Sequence, residues 1–103
     1  MPSEPRVRGP FRTDERARAA YAEAAGIYRI LPRAVSLPAD LDDLLTLVRW
    51  AAEERVPLIP RGAGSGMGGG NLGDGIIVDL TGMAGPALEV EPERRRARMR
   101  AGA

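Results

Sequence analysis

The chain has 103 residues, with 15 basic and 14 acidic side chains, 44% hydrophobic residues and neither cysteine nor histidine. This length predicts one domain with a modest core, and the missing residue types exclude disulfides, thiol nucleophiles and the usual zinc sites. All basic residues are arginine, which excludes a Walker A loop and a lysine Schiff base. Near-neutral net charge and short apolar runs predict a cytoplasmic protein with no nucleic-acid partner and no membrane span.

The first third of the chain predicts an arm, a helix and a strand. Residues 1–12 have no consistent hydrophobic period, which predicts a flexible N-terminal arm before a domain over residues 13–103. Thr13 is the expected N-cap of a short alanine-rich helix that ends near Gly26. Residues 34–37 are apolar and precede Pro38, which predicts a strand.

The clearest predicted element is a helix over residues 40–54. Asp40 is its expected N-cap, with Asp43 placed as in a capping box, and Trp50 is expected at the edge of the buried face. An apolar stripe at helical spacing is predicted to face the core, and it consists of Leu41, Leu44, Leu45, Val48, Ala51 and Ala52.

Four further strands are predicted over residues 56–60, 75–80, 87–91 and 95–101. A helix between two strands is a βαβ unit, whose strands are parallel, and the last two strands should form a hairpin around Pro92. The expected fold class is therefore α/β (α+β), a βαβ unit followed by a glycine-rich loop and further strands.

The glycine-rich loop contains eight glycines in residues 62–75. Ordering so many glycines is entropically costly, so the loop is either flexible or shaped to bring backbone N–H groups to an anion. Gly64, Gly66 and Gly69 satisfy the dinucleotide pattern G-x-G-x-x-G, but the glycines and Asn71 that follow cannot begin the helix that this pattern requires. The loop should instead run from strand to strand.

These residues resemble a known family. The run Pro60-Arg61-Gly62-Ala63-Gly64-Ser65-Gly66, with Gly69-Gly70-Asn71 and Gly75-Ile76-Ile77-Val78-Asp79-Leu80, is similar to the pyrophosphate loop of FAD-linked oxidases of the vanillyl-alcohol oxidase and p-cresol methylhydroxylase (PCMH) family. The flanking segments agree over residues 13–103, and the most similar subgroup is the D-2-hydroxyacid dehydrogenases, such as D-lactate dehydrogenase and the glycolate oxidase FAD subunit. The resemblance implies the first subdomain of a PCMH-type FAD-binding domain.

For function, the resemblance implies an FAD-dependent oxidoreductase that oxidises a 2-hydroxy acid of the lactate or glycolate type. Ser65 stands where relatives with covalent flavin have histidine, so FAD should be bound non-covalently. The implied cofactor-binding residues are Arg61, Gly62, Ala63, Gly64, Ser65, Gly66, Met67, Gly70 and Asn71. No catalytic or metal-binding residue is expected in this chain.

The resemblance also implies an incomplete site. The chain ends near the middle of the family's FAD domain, so a C-terminal FAD subdomain and a substrate cap are expected in the same or another polypeptide. The chain alone should then be inactive and marginally stable, with one face of its sheet partly open. The alternative is a noncatalytic remnant, or a subunit that completes a nucleotide site with another polypeptide.

Several other residues admit two roles. Arg61 could bind a pyrophosphate oxygen and so have the family-type role of ordering the loop, or it could simply follow Pro60 as a solvated loop residue. Asp79 could contact a ribose or, more in keeping with its position, hold a turn. Tyr21 and Tyr28 are expected to pack rather than to catalyse. Two charged groups are expected to be structural: the acidic cluster of Asp40, Asp42 and Asp43 should cap the helix, and the arginines within residues 94–100 should form a solvated strand face.

Overall fold

The computed structural model describes residues 3–103. The elements are β1 (Phe11–Arg12), α1 (Glu15–Ala20), β2 (Ala34–Ser36), α2 (Leu41–Glu54), β3 (Leu58–Arg61), β4 (Ile76–Asp79), β5 (Leu88–Glu91), a 3₁₀ turn (Pro92–Arg94) and β6 (Arg96–Met99). The α/β class is confirmed, as are α2 and the five predicted strands.

The main sheet has the strand order β1-β2-β4-β3, with β4 parallel to both of its neighbours. The two strands joined by α2 are therefore parallel, as predicted, but β4 lies between them. β5 and β6 form the predicted antiparallel hairpin as a separate two-stranded sheet.

The helix α2 has its predicted N-cap but buries a different face, and Asp43 does not complete a capping box, because its carboxylate accepts from other N–H groups than that of Asp40. Asp40 caps it by accepting a hydrogen bond from the Asp43 N–H (2.9 Å). The predicted stripe is wrong for Leu41, Leu45 and Val48, which are 61%, 42% and 46% exposed, and for Ala52, which is also exposed. The residues that α2 buries are Asp43, Leu47, Trp50 and Ala51. This face is selected by tertiary contacts, among them an edge-to-face packing of the Trp50 ring on Phe11 at 5.8 Å.

Residues 3–12 lie against the sheet and α2, where the sequence predicted a flexible arm. Phe11 and Arg12 pair with β2. The buried carboxylate of Asp43 accepts hydrogen bonds from the N–H groups of Arg8 (2.7 Å) and Gly9 (2.9 Å), and from a third at Ala39 (2.9 Å). Residues 1 and 2 of the predicted arm lie outside the described residues.

The environment of Asp43 favours its charged form. Burial would raise the pKa of this carboxyl group, but the three N–H groups and the nearby Arg8 guanidinium hold the pKa below its ordinary value. A hydrophobic pattern carries no information about such a contact, which explains why the sequence did not reveal the attachment of residues 3–12.

The helix α1 is shorter than predicted and starts one residue later. Asp14, not Thr13, is the N-cap, and its carboxylate accepts from the Ala17 N–H at 3.1 Å. The helix ends at Ala20, well before Gly26. Asp14 is already held by the Arg12 guanidinium (2.8 Å), which fixes it in the capping position.

Both faces of the main sheet are covered, which corrects the expectation of one open face. One face packs on α2 through Ile76 and Val78. On the other face Val35 and Ile77 are fully buried. Helix α1 contacts β2. Gly73 of the glycine-rich loop lies against Ile59, the β3 neighbour of Ile77, so closely that a Cβ atom there would be 2.8 Å from the Ile59 side chain. The end of the loop therefore packs on the sheet.

The β5–β6 hairpin differs from the rest, because all of its strand residues are exposed. Within residues 3–103, no helix has the length and apolar character needed to cross a membrane.

Candidate functional site

The glycine-rich loop leaves β3 at Arg61, at the carboxyl edge of the parallel strands, and returns to β4 at Gly75. Ligands of open parallel sheets bind outside this edge. Gly64 and Gly69 have φ angles of 74° and 85°, in the left-handed region that favours glycine. At these two positions the backbone conformation of the loop explains why the sequence has glycine.

The backbone of this loop is rich in free donors. Among the described residues, no N–H group of residues 62–71 donates to a protein acceptor, and Leu72 is the first that does so, to the carbonyl of Gly69 (3.2 Å). Gly62, Ala63, Ser65 and Gly66 are exposed and Gly64 is half-buried. Backbone N–H groups need an acceptor, and a run of free ones in a glycine loop is suited to an anion.

Arg61 fastens the start of the loop to the segment that follows α1. Its guanidinium donates to the carbonyl oxygens of Glu23 (2.8 Å) and Tyr21 (3.3 Å). It also lies 5.1 Å from the centre of the Tyr21 ring, a cation–π distance. Of the two roles considered from the sequence, this geometry matches the ordering of the loop.

Tyr21 is itself held by Asp79 at the end of β4. The Tyr21 hydroxyl donates to one carboxylate oxygen (2.5 Å), and the N–H and hydroxyl of Thr81 donate to the other (2.9 and 2.6 Å). The predicted turn role of Asp79 is confirmed by the Thr81 contacts. The bond to Tyr21 could not be predicted from the sequence, since the two residues are 58 positions apart and share no motif.

The two ends of this hydrogen bond have shifted pKa values. Burial and the Asp79 carboxylate raise the pKa of Tyr21 to about 12. Burial would raise the pKa of Asp79, but the hydrogen bonds from Thr81 and Tyr21 lower it below its ordinary value. A neutral tyrosine and a charged aspartate are therefore the stable pair, which suits an anchor better than a proton-transfer group.

The segment after α1 supports the loop along its length. The Ala25 N–H donates to the carbonyl of Gly64 (3.0 Å). Gly26 lies so close to the loop that a Cβ atom there would be 2.2 Å from the carbonyl oxygen of Met67. The Tyr28 ring contacts Gly69, where a Cβ atom would lie 3.1 Å from the ring. The loop is thus braced by neighbouring residues rather than free.

The comparisons with known proteins agree with this geometry. Residues 32–103 match the protein family described as FAD binding domain. The chain belongs to this FAD-binding family. Over 98 residues it is 39% identical to D-2-hydroxyglutarate dehydrogenase of Pseudomonas putida, a match that covers 92% of the chain and 10% of that protein. It is 31% identical over 100 residues to glycolate oxidase subunit GlcD of Bacillus subtilis, covering 93% of the chain and 21% of that protein.

A second D-2-hydroxyglutarate dehydrogenase, from Escherichia coli, is 39% identical over 79 residues, which cover 74% of the chain and 8% of that protein. The chain therefore spans about a tenth to a fifth of the length of these relatives. The resemblance to FAD-linked oxidases predicted from the loop motif is confirmed.

The described residues fit the diphosphate of FAD. Free N–H groups occur throughout residues 62–66, where most positions lack a side chain that would keep a phosphate away from the backbone. Gly70 leaves open space where a Cβ atom would be, and the exposed Met67 side chain (72%) lies on the same loop. Asn71 lies beside Gly66, with its amide Nδ2, a hydrogen-bond donor, nearest to that residue.

Proposed function

We propose that this FAD-binding domain holds the diphosphate of FAD non-covalently through the N–H groups of residues 62–66. The observation that carries the proposal is the absence, among the described residues, of protein acceptors for these N–H groups in a braced loop at the carboxyl edge of the sheet. The exposed Ser65 hydroxyl adds a further donor. The chain has no histidine and offers Ser65 where FAD-linked oxidases with covalent flavin are expected to have one.

The remaining loop residues support this cradle. Arg61 acts as a positioning residue, because its guanidinium is already engaged by two carbonyl oxygens. Asn71 lies beside Gly66, Gly70 leaves open space for a ligand, and the exposed Met67 is available to cover the ligand with an apolar side chain. A rigid cradle loses little entropy on binding, which favours retention of the cofactor.

We also propose that the domain serves an FAD-dependent oxidoreductase that acts on a 2-hydroxy acid. Relatives are named for D-2-hydroxyglutarate and glycolate, which are both 2-hydroxy acids. When bound, FAD supplies the hydride acceptor for such an oxidation. This chain holds and orients the cofactor, while a further FAD subdomain, a substrate cap and the proton acceptor belong to polypeptide beyond these residues. With added FAD and glycolate, the chain alone should show no turnover.

The cradle is tested by calorimetric titration of the chain with FAD, ADP and adenosine. FAD and ADP should bind weakly and with similar affinity, since the diphosphate makes the contacts, and adenosine should not bind measurably. Gly64→Val should abolish binding, because the side chain would require a positive φ angle and its Cβ atom would lie 2.8 Å from the Arg61 guanidinium.

The matched control is Gly82→Val, at a glycine where a Cβ atom meets open space. This variant should bind ADP like the unaltered chain. The cradle would be contradicted if Gly64→Val and Gly82→Val bound ADP equally, or if adenosine bound as well as ADP. Binding of FAD far more tightly than ADP would show that this chain already holds the flavin ring.

A further inference from the structure

Tyr21 lies outside the glycine-rich loop but connects the two strands that carry it. Its hydroxyl donates to the Asp79 carboxylate at the end of β4 (2.5 Å), and its ring lies 5.1 Å from the Arg61 guanidinium at the end of β3. The guanidinium also donates to the Tyr21 carbonyl oxygen (3.3 Å). The side chain and backbone of one residue therefore contact both of the strand ends between which the loop runs.

The position of Tyr21 is fixed independently of the loop. Tyr21 is the C-cap of α1, and its N–H donates to the carbonyl of Arg18 (3.3 Å). The next residue, Ala22, is fully buried, and its carbonyl accepts from the Ile30 N–H (2.9 Å). Asp79 is likewise held by the turn that follows it. Because both ends of the Tyr21–Asp79 hydrogen bond are held in this way, the ring offers a fixed surface to the guanidinium.

Arg61 is the only basic residue within residues 58–75, so its position decides where positive charge meets the loop. The guanidinium donates to two backbone carbonyl oxygens and lies at a cation–π distance from the Tyr21 ring. A Cβ atom on Gly64 would lie 2.8 Å from this guanidinium, so the loop backbone rests directly against it. Movement of the guanidinium would therefore alter the shape of residues 62–66.

We propose that Tyr21 is a positioning residue of the cofactor site, which holds Arg61 against its backbone acceptors and so keeps the N–H groups of residues 62–66 directed at the diphosphate of FAD. The inference rests on the proposed binding of FAD by this loop. Tyr21 acts through Arg61 and needs no contact with the cofactor, and Asp79 belongs to the same chain of contacts. Without the hydroxyl bond, the ring and the guanidinium gain freedom that must be lost again when the diphosphate binds.

The first test compares the two tyrosines by calorimetric titration with ADP. Tyr21→Phe keeps the ring and removes the hydroxyl, and it should bind ADP about threefold to tenfold more weakly, the range that corresponds to one lost hydrogen bond. Tyr28→Phe is the matched control, because Tyr28 contacts the loop through its ring, at Gly69. This variant should bind ADP like the unaltered chain.

A double variant tests whether Tyr21 acts through Arg61. Once Arg61→Met has removed the guanidinium, the addition of Tyr21→Phe should weaken ADP binding no further, because the two changes break the same chain of contacts. Urea unfolding of each variant is measured in parallel. A tyrosine with a purely structural role would lower stability in both backgrounds and leave the ADP affinity of the folded chain unchanged.

The ¹⁵N relaxation of the ligand-free chain reports the order of the loop without any cofactor. The amides of residues 62–66 should have lower order parameters in Tyr21→Phe than in Tyr28→Phe. The inference is overturned if these order parameters are equal, or if the effects of Tyr21→Phe and Arg61→Met on ADP affinity add in the double variant. Tighter ADP binding by Tyr21→Phe would also overturn it, since a released Arg61 would then bind the phosphate directly.

Failure of the positioning role can be distinguished from failure of the cradle. Equal ADP binding by the unaltered chain and Tyr21→Phe contradicts the role of Tyr21 and leaves the cradle intact. An unaltered chain that does not bind ADP contradicts the cradle itself, and with it the role of Tyr21 in cofactor binding.

Discussion

The glycine-rich loop and the β5–β6 hairpin lack different kinds of contact. Within the part of the chain that the structure describes, the loop lacks hydrogen-bond acceptors for its N–H groups, and the hairpin lacks cover for its apolar side chains. In the loop, the N–H groups of residues 62–71 have no acceptor among the described residues, while Arg61 and Ala25 brace the backbone. In the hairpin, the backbone ladder between the strands is formed, and the side chains of Leu88 and Val90 remain exposed. One region has unused directional donors in a fixed frame, and the other has unused apolar surface.

This difference indicates what each region can bind. Fixed N–H donors recognise a small anion, because a few directional bonds suffice when the frame is rigid. An exposed apolar face gains little from a small polar ligand and requires a protein surface of comparable size. The difference supports the proposed binding of the cofactor by the loop, and it indicates that the apolar face of the hairpin needs further polypeptide to bury it.

The largest expected effect tests whether the two regions contribute differently to stability. Ile77→Ala, beneath the loop at a fully buried position, should lower the free energy of unfolding by about 2–5 kcal/mol. Val90→Ala on the hairpin should change it by less than about 0.5 kcal/mol. Urea unfolding followed by Trp50 fluorescence measures both. Should Ile77→Ala fail to fold, Ile77→Val should still cost about 0.5–1.5 kcal/mol, and equal losses at both sites would contradict the comparison.

A second comparison concerns the buried carboxylate that attaches residues 3–12 to the α/β unit. Asp43→Asn should cost about 2–3 kcal/mol at neutral pH, because one side-chain amide cannot accept three N–H bonds. Exposed Asp42→Asn is the control and should be nearly neutral. Amide exchange in the hairpin should report no change beyond that of global unfolding.

The same carboxylate predicts an acid dependence. Its pKa is lowered in the folded state, so its stabilising contribution is complete above the unfolded aspartate pKa of about 3.9 and is lost as the pH falls through the lower folded-state pKa. The stability difference between the unaltered chain and Asp43→Asn should therefore shrink below about pH 4. A difference that stayed constant from pH 7 to pH 2 would show that charge at Asp43 is unimportant.

The same substitution at an arginine of the loop and at an arginine of the hairpin tests the loop separately from general charge. Arg61→Met removes the two bonds to carbonyl oxygens and should weaken ADP binding by about tenfold, or about 1.4 kcal/mol, because the cradle loses its frame. Arg96→Met on the hairpin should leave ADP affinity unchanged. Titration calorimetry distinguishes them, and similar losses in both variants would point to general attraction by positive charge.

The smallest expected effect is spectroscopic. In a Tyr28→Phe variant, the remaining Tyr21 should titrate at about pH 12 when folded and near 10 in urea. Because the folded-state pKa is raised, the stabilising contribution of Tyr21 is complete below about pH 10 and is lost as the pH rises toward the folded-state value. Absorbance of the tyrosinate measures the titration, and a folded-state midpoint near 10 would remove Tyr21 from the anchor of the loop.

The elements of the fold could be predicted from the sequence better than their packing. The bounds of α2 and the succession of the strands along the chain follow from the sequence pattern. The buried face of α2 does not, because the helix carries apolar residues on both sides, such as Leu45 on one and Leu47 on the other. The choice between these faces depends on Phe11 and on N–H groups of residues 3–12. Such contacts leave no periodic signal.

In the candidate site, too, the position of the loop could be predicted from the sequence, but its contacts could not. The glycine pattern predicted where the loop lies and what it resembles. The acceptors of the Arg61 guanidinium could not be predicted, since they are backbone carbonyl oxygens 38 and 40 positions away, which any residue type can supply. The packing of Gly73 against Ile59 was missed for a related reason, because glycine-rich segments have few side chains that mark a buried face.

The most direct test of the central claim is an NMR titration of the ¹⁵N-labelled chain with ADP. If the loop holds the diphosphate, the amide resonances of residues 62–66 should show saturable shifts, with smaller changes at Ala25 and none along Arg96–Met99. The result that would contradict it is a set of shifts concentrated on the arginines of the hairpin with the loop amides unchanged, which would place the diphosphate on the wrong one of the two regions.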